Sequence, residues 1–446
     1  MIPATQSERW LPLALLLADL VGLGAGFGAA YWLRLDRLPL AQEAVPFYGL
    51  ALLLPAGLYL ADTYHPERET KIAGLRPPYR VIAANAVAGI LLAAIAYVVG
   101  AWGTNPFYGR TVLLGGLALF TLWATAARLS IARWWRAQSL RARWLLVGDP
   151  DRTPALAATI QQRYPQATLV TRNPDGEGLP QGCQQAWSGI LLAVPSPLPQ
   201  ALAAELAELR LRGIPIYRPI DFSERFLGKI TPSDVASEWF LFANGFNLLQ
   251  NPIQGRVKRL GDLALTVTLL VGLSPLLVLT AAAIVLESPG PVFYHQQRTG
   301  LHRQPFWAHK FRSMVPNAEQ GQQPQWAGAA DPRVTRVGRW IRLLRIDELP
   351  QLGNVLKGEM SLIGPRPERP AFDRELAAQI LYYNIRYLVK PGITGWAQVL
   401  YPYGASVEDA YAKLEYDLYY IKNYSLALDV AIALKTLRVV LLGKGR

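Results

Sequence analysis

Cysteine and histidine are scarce in this 446-residue sequence, which contains one cysteine and four histidines. A single cysteine excludes an internal disulfide framework, and so few histidines leave no convincing zinc or thiol site. A dinucleotide-binding fingerprint is also missing, because Gly148 is not followed by the second and third glycines of such a loop. No nucleic-acid-binding signature accompanies the net charge of +13, so that charge favours anionic lipids and phosphate substrates as partners rather than nucleic acid.

Hydrophobic residues make up 51% of the sequence, and the longest uncharged runs lie in its first third. Four runs approach the ~20 residues needed to cross a bilayer, and they cover about residues 11–33, 45–61, 81–102 and 111–131. Basic residues concentrate after the second and fourth runs, which by the positive-inside rule places the N-terminus and the chain after Ile131 in the cytoplasm. Residues 1–135 are therefore predicted to form a four-helix transmembrane bundle.

Short apolar runs alternate with helical patterns over residues 142–220. This alternation predicts a small Rossmann-like α/β domain with a parallel sheet. Because the phosphate-binding glycines are missing, we favour a structural or regulatory role for the domain over the alternative of a working nucleotide site. Residues 221–255 are interpreted as a mixed connector to the last part of the chain.

A fifth apolar segment, predicted as a helix over residues 258–287, is interrupted by Ser274 and Pro275. Its length alone favours a further membrane crossing. Basic residues flank both ends, however, and a crossing would place the polar remainder of the chain outside the cell. The proline removes a helix hydrogen bond, and the serine hydroxyl can satisfy the carbonyl that is freed, so a sharp bend is expected. We therefore favour a re-entrant membrane helix in which Ser274 and Pro275 are the structural residues.

The polar last third contains an adjacent acidic pair, Asp347 and Glu348, followed by apolar residues at helical spacing. This pattern predicts Asp347 at the N-cap of a helix, where backbone N–H groups and the helix dipole would keep its carboxylate ionised as a nucleophile. By local spacing alone, an ordinary cap with a first-turn acid explains the pair at least as well.

Cations near this pair favour a catalytic interpretation. The candidate phosphate-binding residues are Lys310, Arg312, Arg342 and Arg366. Arg342 lies within about two helical turns of Asp347, and the two prolines beside Arg366 would preset it for bidentate phosphate binding. Arginines recur at every third position between residues 333 and 345; this spacing winds around a helix, so most of them are expected in solvent or on anionic lipid headgroups.

Ordered motifs fill residues 256–446, which we expect to form a mostly helical cytoplasmic catalytic domain of an α+β membrane protein. The motifs are Lys310-Phe311-Arg312-Ser313-Met314, Asp331-Pro332-Arg333, Asp347-Glu348-Leu349-Pro350-Gln351-Leu352, Gly364-Pro365-Arg366-Pro367 and Lys390-Pro391-Gly392-Ile393-Thr394-Gly395-Trp396. Together they resemble the motifs of the bacterial sugar transferases, or monotopic phosphoglycosyl transferases. By architecture, the preceding residues resemble the large members of that group, the undecaprenyl-phosphate hexose phosphotransferases of exopolysaccharide and O-antigen assembly.

The resemblance implies a two-step transfer in which Asp347 attacks the sugar-bearing phosphate of a UDP-sugar, expels UMP and passes the sugar phosphate to polyprenyl phosphate. It also implies Mg²⁺, with Asp347 as a ligand, and positive charge from Lys310, Arg342 and Arg366. Glu348 would orient a metal-bound water, contact the incoming phosphate or act as a base. A homodimer in the bacterial inner membrane, with its catalytic domain on the cytoplasmic face, is a further expectation.

Two other functions fit parts of the pattern. A membrane-tethered nucleotide-sugar dehydratase or epimerase would need the intact glycine-rich loop that residues 148–153 do not supply. A non-catalytic scaffold of export machinery would not need Asp347, Glu348, Arg366 and Lys310 together. Residues 400–406 depart from the Asn-Gly-Arg run of many sugar transferases, so the resemblance does not identify the sugar.

Overall fold

Two compact units make up the chain, Met1–Arg218 and Pro219–Arg446. The computed structural model describes residues 4–64, 77–148, 153–163, 167–173, 187–194, 198–235, 239–316, 333–401, 404 and 406–441. The predicted loop residues 149–152, the motif residues Asp331 and Pro332, and most of the basic loop after the second apolar run lie outside the described residues.

Long apolar helices open the first unit, and their bounds are α1 Ala4–Leu35, α2 Ala41–Ala51, α3 Leu53–Leu60, α4 Pro77–Val98 and α5 Arg110–Arg141. Four segments are long and apolar enough to cross a membrane, namely Leu11–Leu35, Ala41–Leu60, Pro78–Val98 and Arg110–Trp134. Each of the four predicted runs is therefore confirmed as an apolar helical segment, the second being divided at Leu52 between α2 and α3.

A buried ion pair joins the first and last of these helices. The two terminal nitrogens of Arg128 donate to the two carboxylate oxygens of Asp19 at 2.8 Å each, and the Tyr64 hydroxyl donates to Asp19 at 2.6 Å. Charges among apolar helices are costly unless they are paired in this way.

The α/β part of the first unit has a four-stranded parallel sheet of order β2-β1-β3-β4. Its elements are β1 Arg143–Gly148, α6 Thr153–Arg163, β2 Thr168–Arg172, β3 Gly189–Ala193, α7 Gln200–Leu211 and β4 Ile216–Tyr217. The predicted parallel α/β arrangement is confirmed. Strand β2 was not predicted, because it is half-exposed at the sheet edge and lacks a continuous apolar run.

The second unit begins at Pro219, so the described residues of the segment 221–255 belong to it. Its first helices are α8 Pro219–Phe222, α9 Trp239–Phe242 and α10 Asn247–Gln250, with a π-helical turn at Ser223–Leu227. Ile230 and Trp239 share a buried cluster with Leu376 and Leu414. This segment, predicted as a connector, therefore contributes to the core of the second unit.

Helix α11, Pro252–Glu287, is a fifth segment long and apolar enough to cross a membrane, and few of its residues are buried. It runs helically through Pro275. The hydroxyl of Ser274 donates to the carbonyl oxygen of Val271 at 2.8 Å. That carbonyl lies four residues before Pro275 and would otherwise lose its helical partner, so the serine compensates for the proline as the sequence predicts.

Beyond α11, the second unit contains two small sheets among short helices. Strands β5 Phe293–Thr299 and β6 Pro305–Phe311 form an antiparallel hairpin, whereas β7 Ser361–Ile363 and β8 Gly392–Thr394 are parallel. The helices are α12 Arg336–Leu343, α13 Leu352–Lys357, α14 Pro370–Gln379, α15 Trp396–Leu400, α16 Val407–Lys422 and α17 Leu426–Leu441. The hairpin was missed in the sequence because its strands are rich in polar residues and mostly exposed on one face.

Candidate active site

Glu348 is the centre of a buried ionic cluster and is only 6% exposed. Lys310 at the end of β6 donates to Glu348 Oε1 at 3.0 Å. Arg366 donates to the same oxygen at 2.6 Å, and Arg345 donates to Oε2 at 3.4 Å. Burial alone would raise the pKa of Glu348, but Arg366, Lys310 and Arg345 outweigh it and hold the pKa well below its usual range.

Asp347 does not lie at a helix N-cap, so that part of the prediction was wrong. The chain is already helical at Ile346, the first residue of a 3-10 helix, Ile346–Gln351, that leads into α13. The N-cap position belongs to Arg345, which has a left-handed backbone conformation with φ of 59°. Only Leu344 and Arg345 separate α12 from the 3-10 helix, so the helix has already begun before the chain reaches Asp347.

The surroundings of Asp347 differ from those of its neighbour. Burial, followed by the charge of Glu348, raises the pKa of Asp347 to about 6. Its Oδ1 is buried, and so is Nη1 of Arg342; neither atom has a hydrogen-bond partner in the described part of the chain. An acceptor and a donor are thus available to a ligand at the edge of the cluster.

The backbone around Arg366 is fixed at three successive carbonyl groups. Pro365 accepts a hydrogen bond from the Gly392 N–H at 2.9 Å, and Pro367 accepts one from Arg298 at 3.0 Å. The carbonyl of Arg366 itself accepts from Arg386 at 2.8 Å.

Arg386 is buried and paired with Asp417 at 3.0 Å. Arg298 and Arg386 thus support the Arg366 segment from outside the predicted motifs. Sequence reasoning missed both residues, because neither lies near Asp347 along the chain.

Arg312 is directed away from the cluster, although it was predicted beside Lys310. Its guanidinium donates to the backbone carbonyls of Ser288 and Pro289, at the end of α11. Successive residues of a strand point to opposite faces, but Arg312 lies beyond the last residue of β6 and turns back toward α11. The structure therefore brings Lys310, Arg342 and Arg366 to the acidic pair and leaves Arg312 apart from them.

Asn354 fixes α13 against β6 and is fully buried. Its side-chain oxygen accepts from the His309 N–H at 3.1 Å, and its amide donates to the Trp307 carbonyl at 2.7 Å and to Glu359 at 2.6 Å. These bonds hold the helix that follows Asp347 at a fixed register against the strand that carries Lys310. Sequence reasoning passed over Asn354, although it lies only two residues beyond the motif that begins at Asp347.

Metal ligands are few around the site. Among the described residues, no group of three or more histidine, cysteine or carboxylate side chains could hold a metal ion. Mg²⁺ usually keeps several waters and binds one or two carboxylates together with substrate phosphates. Asp347 Oδ1, for which the described part of the chain supplies no partner, fits that kind of site, whereas Glu348 is already bonded to cations.

Comparison with known proteins identifies the second unit. The model of the bacterial sugar transferase family matches residues 253–443. A UDP-N-acetylgalactosamine-undecaprenyl-phosphate N-acetylgalactosaminephosphotransferase of Aeromonas hydrophila is 46% identical over 240 residues, which cover 54% of this chain and 55% of that protein. An undecaprenyl-phosphate glucose phosphotransferase of Komagataeibacter xylinus is 46% identical over 188 residues, covering 41% of this chain and 35% of that protein.

A shorter relative is matched over most of its length. The Bacillus subtilis protein named uncharacterized sugar transferase EpsL is 41% identical over 196 residues, which cover 42% of this chain and 89% of that protein. The chain thus spans about half or less of the two longer relatives but nearly all of the short one. The region matched by the family model contains the acidic pair and the cations of its cluster. Because this chain is 41% identical to a sugar transferase of which it covers 89%, the chain belongs to the bacterial sugar transferase family.

Proposed function

We propose that the protein transfers a sugar-1-phosphate from a UDP-sugar to polyprenyl phosphate, such as undecaprenyl phosphate, in an early membrane step of exopolysaccharide or O-antigen synthesis. The observation that carries the proposal is the contrast between the two adjacent carboxylates. Glu348 is neutralised by three cations, while Asp347 keeps a buried oxygen without a partner among the described residues. The names of the relatives, which specify undecaprenyl phosphate, support the acceptor class.

In the first step, an oxygen of Asp347 would form a bond to the sugar-bearing phosphorus, and the bond from that phosphorus to UMP would break. In the second, an oxygen of polyprenyl phosphate would attack the same phosphorus and release the carboxylate. With a pKa of about 6, Asp347 is ionised at neutral pH and can act as the nucleophile. A carboxylate needs local positive charge to approach an anionic pyrophosphate.

That positive charge comes from Lys310, Arg342, Arg345 and Arg366. These four cations face two carboxylates, so an excess of positive charge remains for the substrate. Nη1 of Arg342, which has no hydrogen-bond partner among the described residues, offers a donor that needs no rearrangement. The guanidinium of Arg366 would donate hydrogen bonds both to Glu348 and to a substrate phosphate.

Glu348 acts, in this proposal, as a positioning residue rather than as a base. Its oxygens already accept from Lys310, Arg345 and Arg366, and its low pKa makes it a poor proton acceptor. Its carboxylate holds three long cationic side chains in place before substrate arrives. Mg²⁺ held by Asp347 would supply further neutralisation of the pyrophosphate charge.

A re-entrant course for α11 fits the contacts at its two ends. Near its start, Lys258 pairs with Asp429 at 2.8 Å, and Arg259 donates to the Val355 carbonyl at 2.6 Å. At its end, Glu287 accepts from the backbone N–H groups of Arg336 and Val337 at 2.7 and 3.0 Å. A straight helix of 36 residues would be about 54 Å long. Both ends of α11 nevertheless contact polar groups of the second unit, in α17 and α13 at the start and in α12 at the end. We infer that α11 enters one leaflet and returns to the cytoplasmic face of the inner membrane.

Helix α12 supplies a second contact with the membrane surface. Trp340 is 67% exposed on this helix, beside exposed Arg339. An aromatic side chain beside a cation suits the headgroup region of a bilayer that contains anionic lipid. Both features agree with a catalytic unit placed at the interface, where a lipid phosphate and a cytosolic UDP-sugar can meet.

The expected homodimer stays a prediction, which a mass measurement in nanodiscs would check.

The test of the proposed function separates the two steps. Purified protein is incubated with a UDP-sugar labelled in its sugar, without acceptor. We expect up to one UMP per protein molecule, with the label retained on the protein until polyprenyl phosphate is added. Asp347→Asn should give neither UMP nor retained label, whereas the exposed control Glu375→Gln should behave as wild type. Full turnover by Asp347→Asn would remove Asp347 from the nucleophile role.

Orientation is tested separately, with single cysteines at positions 256 and 303 labelled in intact cells and in inverted vesicles. Both should react only from the cytoplasmic side. Reaction from opposite sides would show that α11 crosses the membrane.

A further inference from the structure

An apolar cleft of about 480 Å³ lies between the middle of α11, the β5–β6 hairpin and the start of α13. Its volume falls in the range of about 300–1,000 Å³ that is usual for small-molecule sites. Leu277 and Val278 of α11 form one wall, and the stacked rings of Phe293 and Phe311, with centroids 5.5 Å apart, belong to the other. The cleft therefore opens beside α11, the helix of the second unit that is long and apolar enough to cross a membrane.

Two histidines also line the cleft, but their nitrogens are directed at each other. Nδ1 of His295 and Nδ1 of His309 are 2.7 Å apart across the hairpin, and Nε2 of His309 lies 3.3 Å from the Lys357 ammonium. The ammonium can only donate, so His309 accepts at Nε2 and donates from Nδ1 to His295. His295 then carries its proton on Nε2, and apart from this one N–H the lining of the cleft is mainly carbon.

The cleft borders the chain segment that follows Asp347. Pro350 and Gly353 line it, and they follow Asp347 by three and six residues. Side chains three residues apart in a 3-10 helix lie one above the other, so Pro350 lies on the same side of the helix as Asp347. On β6, by contrast, Lys310 points to the opposite face from His309 and Phe311. A ligand in the cleft therefore reaches the ionic cluster past Pro350 rather than across the strand.

We propose that this cleft holds the first isoprene units of the polyprenyl phosphate acceptor and so presents its phosphate to Asp347. The inference rests on the proposed function. A ligand with an apolar chain and an anionic head matches this arrangement. The carbon-lined walls beside α11 suit the chain. The excess of positive charge beside Asp347, including Arg342 Nη1 with no partner among the described residues, suits the head. The exposed flank of α11 connects the cleft to the bilayer in which such a chain resides.

Gly353 offers a direct steric test. Apart from its chain neighbours and the backbone of its own helix, no atom of the described residues lies within 4 Å of the position that a Cβ would take there. Gly353→Leu would therefore add an apolar side chain at the wall of the cleft from a Cβ position that is open, and it removes a helix penalty of about 1 kcal/mol. Gly255→Leu, at a position on α11 that has the same open surroundings and does not line the cleft, is the matched control.

We expect Gly353→Leu to release UMP from a UDP-sugar without acceptor as wild type does, but to raise the KM for polyprenyl phosphate about tenfold or more. Gly255→Leu should change neither quantity. An unchanged acceptor KM in Gly353→Leu, with normal UMP release, would overturn the cleft assignment and leave the proposed function intact. If wild-type protein released no UMP and transferred no sugar phosphate, the proposed function itself would fail, and this inference with it.

A second measurement does not depend on turnover. The single natural cysteine, Cys183, is replaced by serine, and a cysteine is introduced at Val278 in the cleft or at Val271, which lies on the same helix outside it. The native side chains are similarly exposed, at 68% and 70%. Polyprenyl phosphate should slow maleimide labelling of Val278→Cys and leave Val271→Cys unaffected. Equal protection of Val278→Cys by phospholipid alone would assign the cleft to ordinary bilayer lipid and refute the proposal.

Discussion

Removing one charge from each of the two adjacent carboxylates is expected to change stability in opposite directions. Asp347 is a buried acid that carries an oxygen without a partner among the described residues and lies beside a second carboxylate. Glu348 is the shared anion of Lys310, Arg345 and Arg366. We therefore expect Asp347→Asn to stabilise the second unit at neutral pH and Glu348→Gln to destabilise it.

The magnitudes follow from the surroundings of each side chain. Raising the pKa of Asp347 from 3.8 to about 6 corresponds to a cost of about 3 kcal/mol at any pH above both values. An asparagine avoids that cost. Leaving a cluster of buried cations without its anion costs about 3–5 kcal/mol. In a unit of this size, about 3 kcal/mol moves the Tm by roughly 6–12 °C.

The pH dependence distinguishes this reasoning from a packing effect. The pKa of Asp347 is higher in the folded protein than in the unfolded chain, so the cost is fully present above about pH 6 and disappears as the pH falls toward 4. The stabilisation by Asp347→Asn should shrink over the same range. For Glu348 the folded-state pKa is depressed, so its contribution stays constant above about pH 5 and is lost only in stronger acid.

The assay is thermal unfolding of detergent-purified protein, followed by tryptophan fluorescence at pH 7.5 and pH 5, with exposed Glu375→Gln as the control expected to lie within about 0.5 kcal/mol of wild type. A lower Tm for Asp347→Asn at pH 7.5, or a gain equal at both pH values, would refute the assignment of a buried-charge cost to Asp347.

Three further predictions use the same contacts. The burst of UMP should rise with pH, with a midpoint near pH 6. Arg342→Gln should move that midpoint upward, because Arg342 lowers the pKa of Asp347. A burst of constant size from pH 5 to 8 would contradict both expectations. Arg312→Gln should reduce the free energy of unfolding by about 1–3 kcal/mol, since two backbone carbonyls lose a charged donor. The KM for UDP-sugar should stay unchanged. A tenfold rise in that KM would show that Arg312 binds phosphate after all. Asn354→Ala should lower kcat with a smaller change in KM, and it should reduce the free energy of unfolding by about 2–3 kcal/mol, because α13 loses its bonds to β6. A variant with normal kcat and Tm would contradict that role.

Contiguous patterns in the sequence predicted much of the fold. The apolar helices follow from long uncharged runs, and the parallel sheet of the first unit follows from the alternation of short strands and helices. The same local reasoning predicted that the Ser274 hydroxyl would satisfy a carbonyl freed by Pro275, which it does at Val271. In each case the residues that decide the structure are neighbours along the chain.

Features that depend on distant residues were missed. Nothing near Arg386 in sequence indicates that it donates to the Arg366 carbonyl 20 residues earlier. The β5–β6 hairpin also escaped prediction, because its strands are stabilised by contacts with the 3-10 helix and α13 rather than by an apolar run of their own. Arg312 was placed beside Lys310 from adjacency, whereas the end of β6 directs the two side chains to different parts of the unit.

The acidic pair shows both kinds of outcome. The family resemblance implies Asp347 as the nucleophile, but the sequence leaves the role of Glu348 open. Two like charges side by side in a buried site cannot both be stabilised equally, and the cations decide which one is. Lys310, Arg345 and Arg366 all bond to Glu348, so its pKa falls while that of Asp347 rises. In the proposed function, the bonded cations fix Glu348 in place, while Asp347 Oδ1, which has no partner among the described residues, has a lone pair available for attack. The proposal therefore predicts that Asp347→Asn changes stability and chemistry together at a single residue.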